Sequence, residues 1–157
     1  MLIHVFYIVL TYNYYISYSR SYNWCILSKP ADLGSVKIGS YIILEGEACR
    51  IVAYDKSKPG KHGSAKARVV AIGVFDSVKR SHVSPVSANI DIPIIEKKTG
   101  QVISKGSNSY QLMDMESFEV FDCPIPDDES LTSKITEGSE VEYWYVLGRF
   151  KIARIKN

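Results

Sequence analysis

The residues with the clearest chemical potential lie in one short stretch rich in cations. Its five Lys or Arg side chains fall within thirteen positions, and they are Lys56, Lys58, Lys61, Lys66 and Arg68. Like charges repel, so such a cluster destabilises a fold unless an anion lies against it. Gly60 and Gly63 permit a tight turn, and Pro59 restricts the backbone just upstream. The spacing therefore predicts a loop that exposes Lys61, with His62 beside it.

Two interpretations of this loop remain open on the residues alone. One is a solvated hairpin tip whose lysines bind nothing specific. The other is a phosphate-binding loop, but the P-loop spacing is absent because His62 follows Lys61 and no glycine stands at the matching upstream position. No helix is predicted after the loop, so no helix N-terminus would help to hold an anion.

Strand-forming segments flank the loop. Apolar, β-prone runs occupy residues 40–44, 48–54, 67–75, 79–83 and 89–95, whereas residues 55–65 are polar and rich in turn formers. Five short strands in fewer than seventy residues predict a small closed or nearly closed barrel.

A second unit is predicted from residue 96. Residues 96–100 are charged and turn-rich, and we place a domain boundary there. Strands are expected at 101–104, 110–114, 117–122, 140–147 and 150–155, with a short helix capped by Asp127 and Asp128. This pattern fits an OB-type barrel. Tyr143, Trp144 and Tyr145 could stack on bases, although alternation favours core packing for Tyr143 and Tyr145.

Residues 1–26 differ in composition from everything that follows. Six of the eleven tyrosines lie there, and Arg20 is the single charged residue. A signal peptide or membrane span is disfavoured because the positive flank and cleavage site are missing and Tyr12 to Tyr15 interrupt the apolar run. We expect a non-native or disordered leader, with translation starting near Leu27 or Ser28.

Charge and cysteine content narrow the function classes. Residues 27–95 hold ten Lys or Arg against six Asp or Glu, a net of +4, whereas residues 96–157 hold eight against eleven, a net of −3. A basic first half suits a phosphate-bearing partner. The three cysteines are far apart, which predicts reduced thiols rather than zinc or disulfides. No nucleophile–base pair, metal cluster or cofactor loop is evident, so an enzyme is the weakest hypothesis.

Several motifs in order carry a resemblance to a known family. The sequence Gly60-Lys61-His62-Gly63, followed by Lys66 and a basic alanine-containing strand, resembles the modification loop of initiation factor 5A. The similarity covers roughly residues 32–156; its other parts are residues 40–43, 47–50, 69–75, 93–96 and 142–144. These fit the archaeal branch of the family, the counterpart of bacterial elongation factor P. Pro59 and Ser64 depart from common family residues.

The resemblance implies a fold, a modification and a set of partners. The fold would be all-β, with an SH3-like barrel at 27–95 and an OB-fold barrel with one short helix at 96–157. Lys61 would receive an aminobutyl group from spermidine through deoxyhypusine synthase, giving deoxyhypusine or hypusine, with no separate cofactor. The protein would be cytoplasmic and would bind ribosomal RNA and peptidyl-tRNA on the ribosome. It would aid peptide-bond formation, notably at proline runs.

The predicted site residues follow from the loop and from this resemblance. Lys61 is the modified residue; Pro59, Gly60, His62 and Gly63 shape the modification loop. Lys56, Lys58, Lys66 and Arg68 are predicted phosphate contacts, although each could be ordinary surface. The rival hypothesis is an unmodified RNA-binding module, such as an RNA chaperone built on the same barrels.

Overall fold

The computed structural model describes residues 27–57, 60 and 63–156. Within these residues the chain is almost entirely β-structure. The strands are β1 (Ser28–Asp32), β2 (Tyr41–Leu44), β3 (Glu47–Ser57), β4 (Lys66–Gly73), β5 (Lys79–Pro85), β6 (Asn89–Pro93), β7 (Ile95–Lys105), β8 (Ser109–Asp114), β9 (Val120–Pro124), β10 (Glu140–Val146) and β11 (Arg149–Ile155). A 3-10 turn spans Leu33–Ser35, and the α-helix α1 spans Glu129–Thr132. No helix in the described part of the chain is long and apolar enough to cross a membrane.

The first half forms a four-stranded antiparallel sheet in the order β2-β3-β4-β5, joined by a ribbon of β1 and β6. Strand β4 alternates strictly, so that Ala67, Val69 and Ala71 are fully buried while their neighbours face outward. The buried residues pack with Leu33 and Ile42 in one core. A bulge in β3 between Ile51 and Ala53 increases the local twist, which helps the sheet curl.

The second half forms a five-stranded antiparallel sheet in the order β11-β10-β7-β8-β9. Its core contains Val102, Leu112 and Ile152, which are essentially inaccessible to solvent. Asp128 caps α1 by accepting a 2.9 Å hydrogen bond from the backbone N–H of Ser130, as the sequence predicted. The fold-class prediction is confirmed: two curled, barrel-like sheets follow one another, with one short helix among the described residues.

The description of residues 96–100 as turn-rich is wrong. They belong to β7, where Glu96 to Gln101 pair residue by residue with Tyr145 to Glu140 of β10. The charged side chains of this segment suggested a turn-rich linker. On a half-exposed strand, however, such side chains can face solvent without interrupting the strand. The proposed division at residue 95 into two domains stays a prediction.

Two further differences between the predicted and the observed strands concern β1 and the end of β3. Strand β1 carries Lys29 and Pro30 and has little β propensity, yet it pairs with β6 from Ser28–Pro93 to Asp32–Asn89. Tertiary pairing therefore overrides local preference there. Strand β3 continues to Ser57, so the loop begins later than residue 55. The expected leader, residues 1–26, lies outside the described residues.

Side chains from the second sheet contact the first. Arg149 forms an ion pair with Glu47, and its guanidinium lies 4.1 Å from the centroid of the Phe75 ring. Lys151 donates a hydrogen bond to the carbonyl of Val74. These contacts come from β11, one edge of the second sheet.

Candidate functional site: the β3–β4 loop

The cation-rich loop connects β3 and β4, whose last paired residues are Ser57 and Lys66. Gly60 has φ +67°, a backbone conformation that side chains with a Cβ rarely adopt. A Cβ built on Gly60 would meet no atom within 4 Å. Glycine is thus favoured there by backbone conformation and not by lack of space, which agrees with the tight turn that the sequence predicts.

Four predicted site residues, Lys58, Pro59, Lys61 and His62, lie outside the described residues. The structure therefore describes the frame of the loop and not its tip. Gly63 is described and is half-buried. The assignment of Lys61 as the modified residue stays a prediction, as do the shaping roles of its neighbours.

Lys66 and Arg68 share the outer face of the first sheet. Both are exposed and alternate with fully buried residues of β4. Arg68 lies opposite Asp55 on β3 and opposite Val83 on β5, and both of these partners are also exposed. Within the described part of the chain, no carboxylate lies within 4.0 Å of either cation. Their positive charge is available to an external anion.

Lys56 lies on the opposite face. Its strand partner is Ala67, which is completely buried. The Lys56 ammonium donates a 2.9 Å hydrogen bond to the carbonyl of Gly34 and lies 5.4 Å from the centroid of the Tyr54 ring. The structure therefore brings together Lys66 and Arg68 but not Lys56, whose charge is already partly satisfied at the surface by the Gly34 carbonyl.

Arg80, another cation of the first sheet, is neutralised by two carboxylates. Arg80 on β5 binds Asp76 at 2.7 Å and Glu45 at 3.1 Å. Hydrogen bonds from Arg80 and from the backbone N–H of Val78 lower the pKa of Asp76 to about 2. Arg80 therefore contributes little to the field at the loop.

The aromatic run on β10 divides its side chains between two environments. Tyr143 is buried, as alternation predicted, and its hydroxyl donates to the carboxylate of Asp114. Tyr145 is half-buried against Phe150, with ring centroids 5.1 Å apart. Trp144 points the other way, lying edge-on to Tyr41 at 5.9 Å and under the ammonium of Lys97 at 5.0 Å.

Asp114 was missed by the sequence reasoning. It is the single charged side chain that is buried among the described residues. Burial favours its neutral form, but hydrogen bonds from Tyr143 and from the backbone N–H groups of Ser117 and Glu116 together lower its pKa. A polar residue at the end of an apolar strand, followed by a turn, was the available signal.

Two of the three cysteines lie on strands of the described residues. Cys49 is on β3 and Cys123 on β9, both are buried, and both are free thiols. Burial raises the pKa of Cys123 to about 12, which keeps its thiol protonated and unreactive. Across the described residues, no group of three His, Cys, Asp or Glu side chains has the arrangement of a metal site. Cys25 lies outside the described residues.

Comparison with known proteins gives the class and then the family. Residues 27–88 match the family model described as translation initiation factor 5A-like, N-terminal. Translation initiation factor 5A of Methanococcus maripaludis is 51% identical over 128 residues, covering 82% of this chain and 95% of that protein. Translation initiation factor 5A of Thermofilum pendens is 48% identical over 129 residues, covering 82% of this chain and 98% of that protein. The all-β fold and these matches define a translation factor.

The solved structures agree with this class. The eukaryotic translation initiation factor 5A from Methanococcus jannaschii has a TM-score of 0.76 and 41% identity, covering 82% of this chain and 95% of that one. A family protein from Naegleria fowleri has a TM-score of 0.70 and 28% identity, with 83% and 99% covered. The chain belongs to the translation initiation factor 5A family, and its resemblance to the archaeal branch is confirmed.

Proposed function

We propose that this protein binds the ribosome in the cytoplasm and uses a modified Lys61 to stabilise peptidyl-tRNA and promote peptide-bond formation, notably at proline runs. The observation that carries this proposal is the sequence Gly60-Lys61-His62-Gly63 in the β3–β4 connection of a translation initiation factor 5A family member. The left-handed conformation of Gly60 supports it, because such a backbone conformation is typical of a tight turn.

The modification would change both the reach and the charge of the side chain. An aminobutyl group from spermidine adds four carbons and a second amine to Lys61. A thin polyamine can enter a crowded RNA site that a folded backbone cannot, and each phosphate that it neutralises releases counterions. Deoxyhypusine synthase is the expected modifying partner, and Gly60 and Gly63, which have no side chains, would leave an enzyme room to approach the lysine between them.

The protein would act by orientation and not as an enzyme. The proposal assigns it no bond-making group, so the chemistry belongs to the ribosome. Holding the acceptor end of a tRNA in a reactive geometry lowers a barrier by limiting its motion. Lys66 and Arg68 support this role, since both present unpaired positive charge beside the loop. Ribosomal RNA and the peptidyl-tRNA are the expected partners of this face.

The test is the intact mass of the protein purified from its own organism, with the modified position mapped by peptide fragmentation. We expect one aminobutyl addition, with or without a hydroxyl, located on Lys61. Lys58, three residues away on the same loop, is the internal control and should carry no addition. A homogeneous, unmodified Lys61 would contradict the proposal and support an unmodified RNA-binding module instead.

A further inference from the structure

The turn between β8 and β9 lies within a long acidic stretch of the chain. Residues 106–133 contain no Lys or Arg. Their seven acidic side chains are Asp114, Glu116, Glu119, Asp122, Asp127, Asp128 and Glu129. At the turn itself Glu116 and Glu119 are exposed, and their charges repel RNA and attract a basic partner. The turn therefore cannot extend the phosphate-facing surface of the β3–β4 loop.

The same turn exposes large apolar side chains. Phe118 is 68% exposed, Val120 54% and Met115 38%, all within six residues. Single exposed apolar residues need no explanation, but three together at one turn are typical of an interaction site. Phe118 also has φ +58°, which is uncommon for a residue with a bulky side chain.

The turn is held rigidly by buried groups. The carboxylate of Asp114 accepts from the backbone N–H groups of Glu116 at 2.7 Å and Ser117 at 2.9 Å. Backbone hydrogen bonds from Phe118 to Asp114 and from Asp114 to Glu119 close the loop at 3.0 and 2.9 Å. A fixed turn loses little conformational freedom on binding, so an exposed aromatic on it is a ready anchor.

A cavity of about 230 Å³ opens beside this anchor. Phe118 stands between Ser117 and Glu119, which both line the cavity. Its aromatic wall is formed by Phe121 and Phe150, whose stacked rings have centroids 4.1 Å apart, and by Tyr145, which packs against Phe150.

The charged groups of this cavity are mostly acidic. Glu96, Asp114 and Glu119 contribute three carboxylates, against one ammonium, Lys98, which lies 3.8 Å from Glu96. Aromatic faces and carboxylates together favour an organic cation, and the volume suits one long side chain. The hydrogen bonds that Asp114 accepts keep it ionised, so the charge persists at neutral pH.

We propose that the β8–β9 turn and this cavity form a docking surface for a basic protein segment, with Phe118 packing against its apolar residues and an arginine or lysine entering the cavity. The surface lies on the second sheet and is separate from the Lys61 loop on the first. Binding there requires no modification of Lys61. Its failure would therefore leave the proposed function of the loop untouched.

The experiment measures binding of the full chain to a fluorescein-labelled peptide that alternates arginine with leucine, by anisotropy. We expect Glu119→Lys to weaken binding about tenfold. Glu140→Lys, the same charge change on an exposed residue at the far end of β10 from Tyr145, should change it less than about twofold. Phe118→Asn should weaken binding several-fold, and asparagine is chosen because it tolerates the left-handed backbone at this position. Ile38→Asn is the matched control: Ile38 is 64% exposed in a turn of the first half, and its replacement should not weaken binding.

Amide chemical shifts of the labelled protein locate the peptide. We expect the largest changes at Ser117, Glu119 and Tyr145, and no changes there when an oligouridylate RNA is added instead. Equal losses for Glu119→Lys and Glu140→Lys would mean unspecific attraction and would overturn the proposal. So would RNA shifting the same amides, or a peptide footprint elsewhere on the chain.

Discussion

The β3–β4 loop and the β8–β9 turn are both hairpin connections, but they are built in opposite ways. The first is long, basic and shaped by glycines, with Gly60 in a left-handed conformation and open space around it. The second is short, acidic and fixed by Asp114 beneath it. A surface that docks a partner gains from such rigidity, because a fixed turn loses little conformational freedom on binding. The two connections thus suit two different partners.

The loop is tested most severely by Lys61→Arg. Arginine keeps the charge and much of the length, but its guanidinium stays protonated and cannot serve as an amine acceptor. We expect complete loss of spermidine labelling and of relief at proline runs, with fold stability changed by less than about 0.5 kcal/mol. Translation of a proline-run reporter and labelling with radioactive spermidine measure both.

Lys58→Arg is the matched control for that variant. It makes the same chemical change three residues away and should remain labelled and active. If Lys61→Arg supported proline-run synthesis as well as the native protein, the modified-lysine mechanism would be wrong and the loop would be only a basic clamp.

The rigidity of the acidic turn is tested by Asp114→Ala. Removing the carboxylate leaves the Tyr143 hydroxyl and two backbone N–H groups without their acceptor. We expect the free energy of unfolding in urea to fall by about 2–4 kcal/mol, because buried groups left unpaired are costly. Asp122→Ala, an exposed residue on β9, should change it by less than about 0.5 kcal/mol. A loss for Asp114→Ala no larger than for Asp122→Ala would show that the turn does not depend on this carboxylate.

The smallest expected effect separates the two faces of the first sheet. If the outer face binds RNA, replacing both Lys66 and Arg68 by Ala should lower the salt slope of ribosome binding by roughly 1.5, close to one counterion per lost phosphate contact. Lys56→Ala should lower it less, since that ammonium already binds the Gly34 carbonyl. Lys134→Ala, in the acidic half, should leave the slope unchanged. If Lys56→Ala or Lys134→Ala lowered the salt slope as much as the double variant does, this division between the two faces would be contradicted.

Much of the fold could be predicted from the sequence, because strand alternation and turn residues are local signals. Residues 66–69 and 140–143 alternate between polar and apolar positions, and both segments lie in strands. The glycine-framed lysine loop also falls between the strands expected to hold it. Where local signals were weak or misleading, the reading failed. Strand β1 contains a proline and a charge, and residues 96–100 look like a linker although they pair with β10.

What the sequence by itself determined is the family and the place of the Gly60-Lys61-His62-Gly63 motif, since a motif is a property of residue order. Only the tertiary structure decided that Lys56 points away from Lys66 and Arg68, because the face of a side chain depends on the register of paired strands. It alone placed Asp114 beneath the β8–β9 turn against Tyr143, a residue 29 positions away. Such contacts are set by how the sheet curls, and no local pattern encodes them.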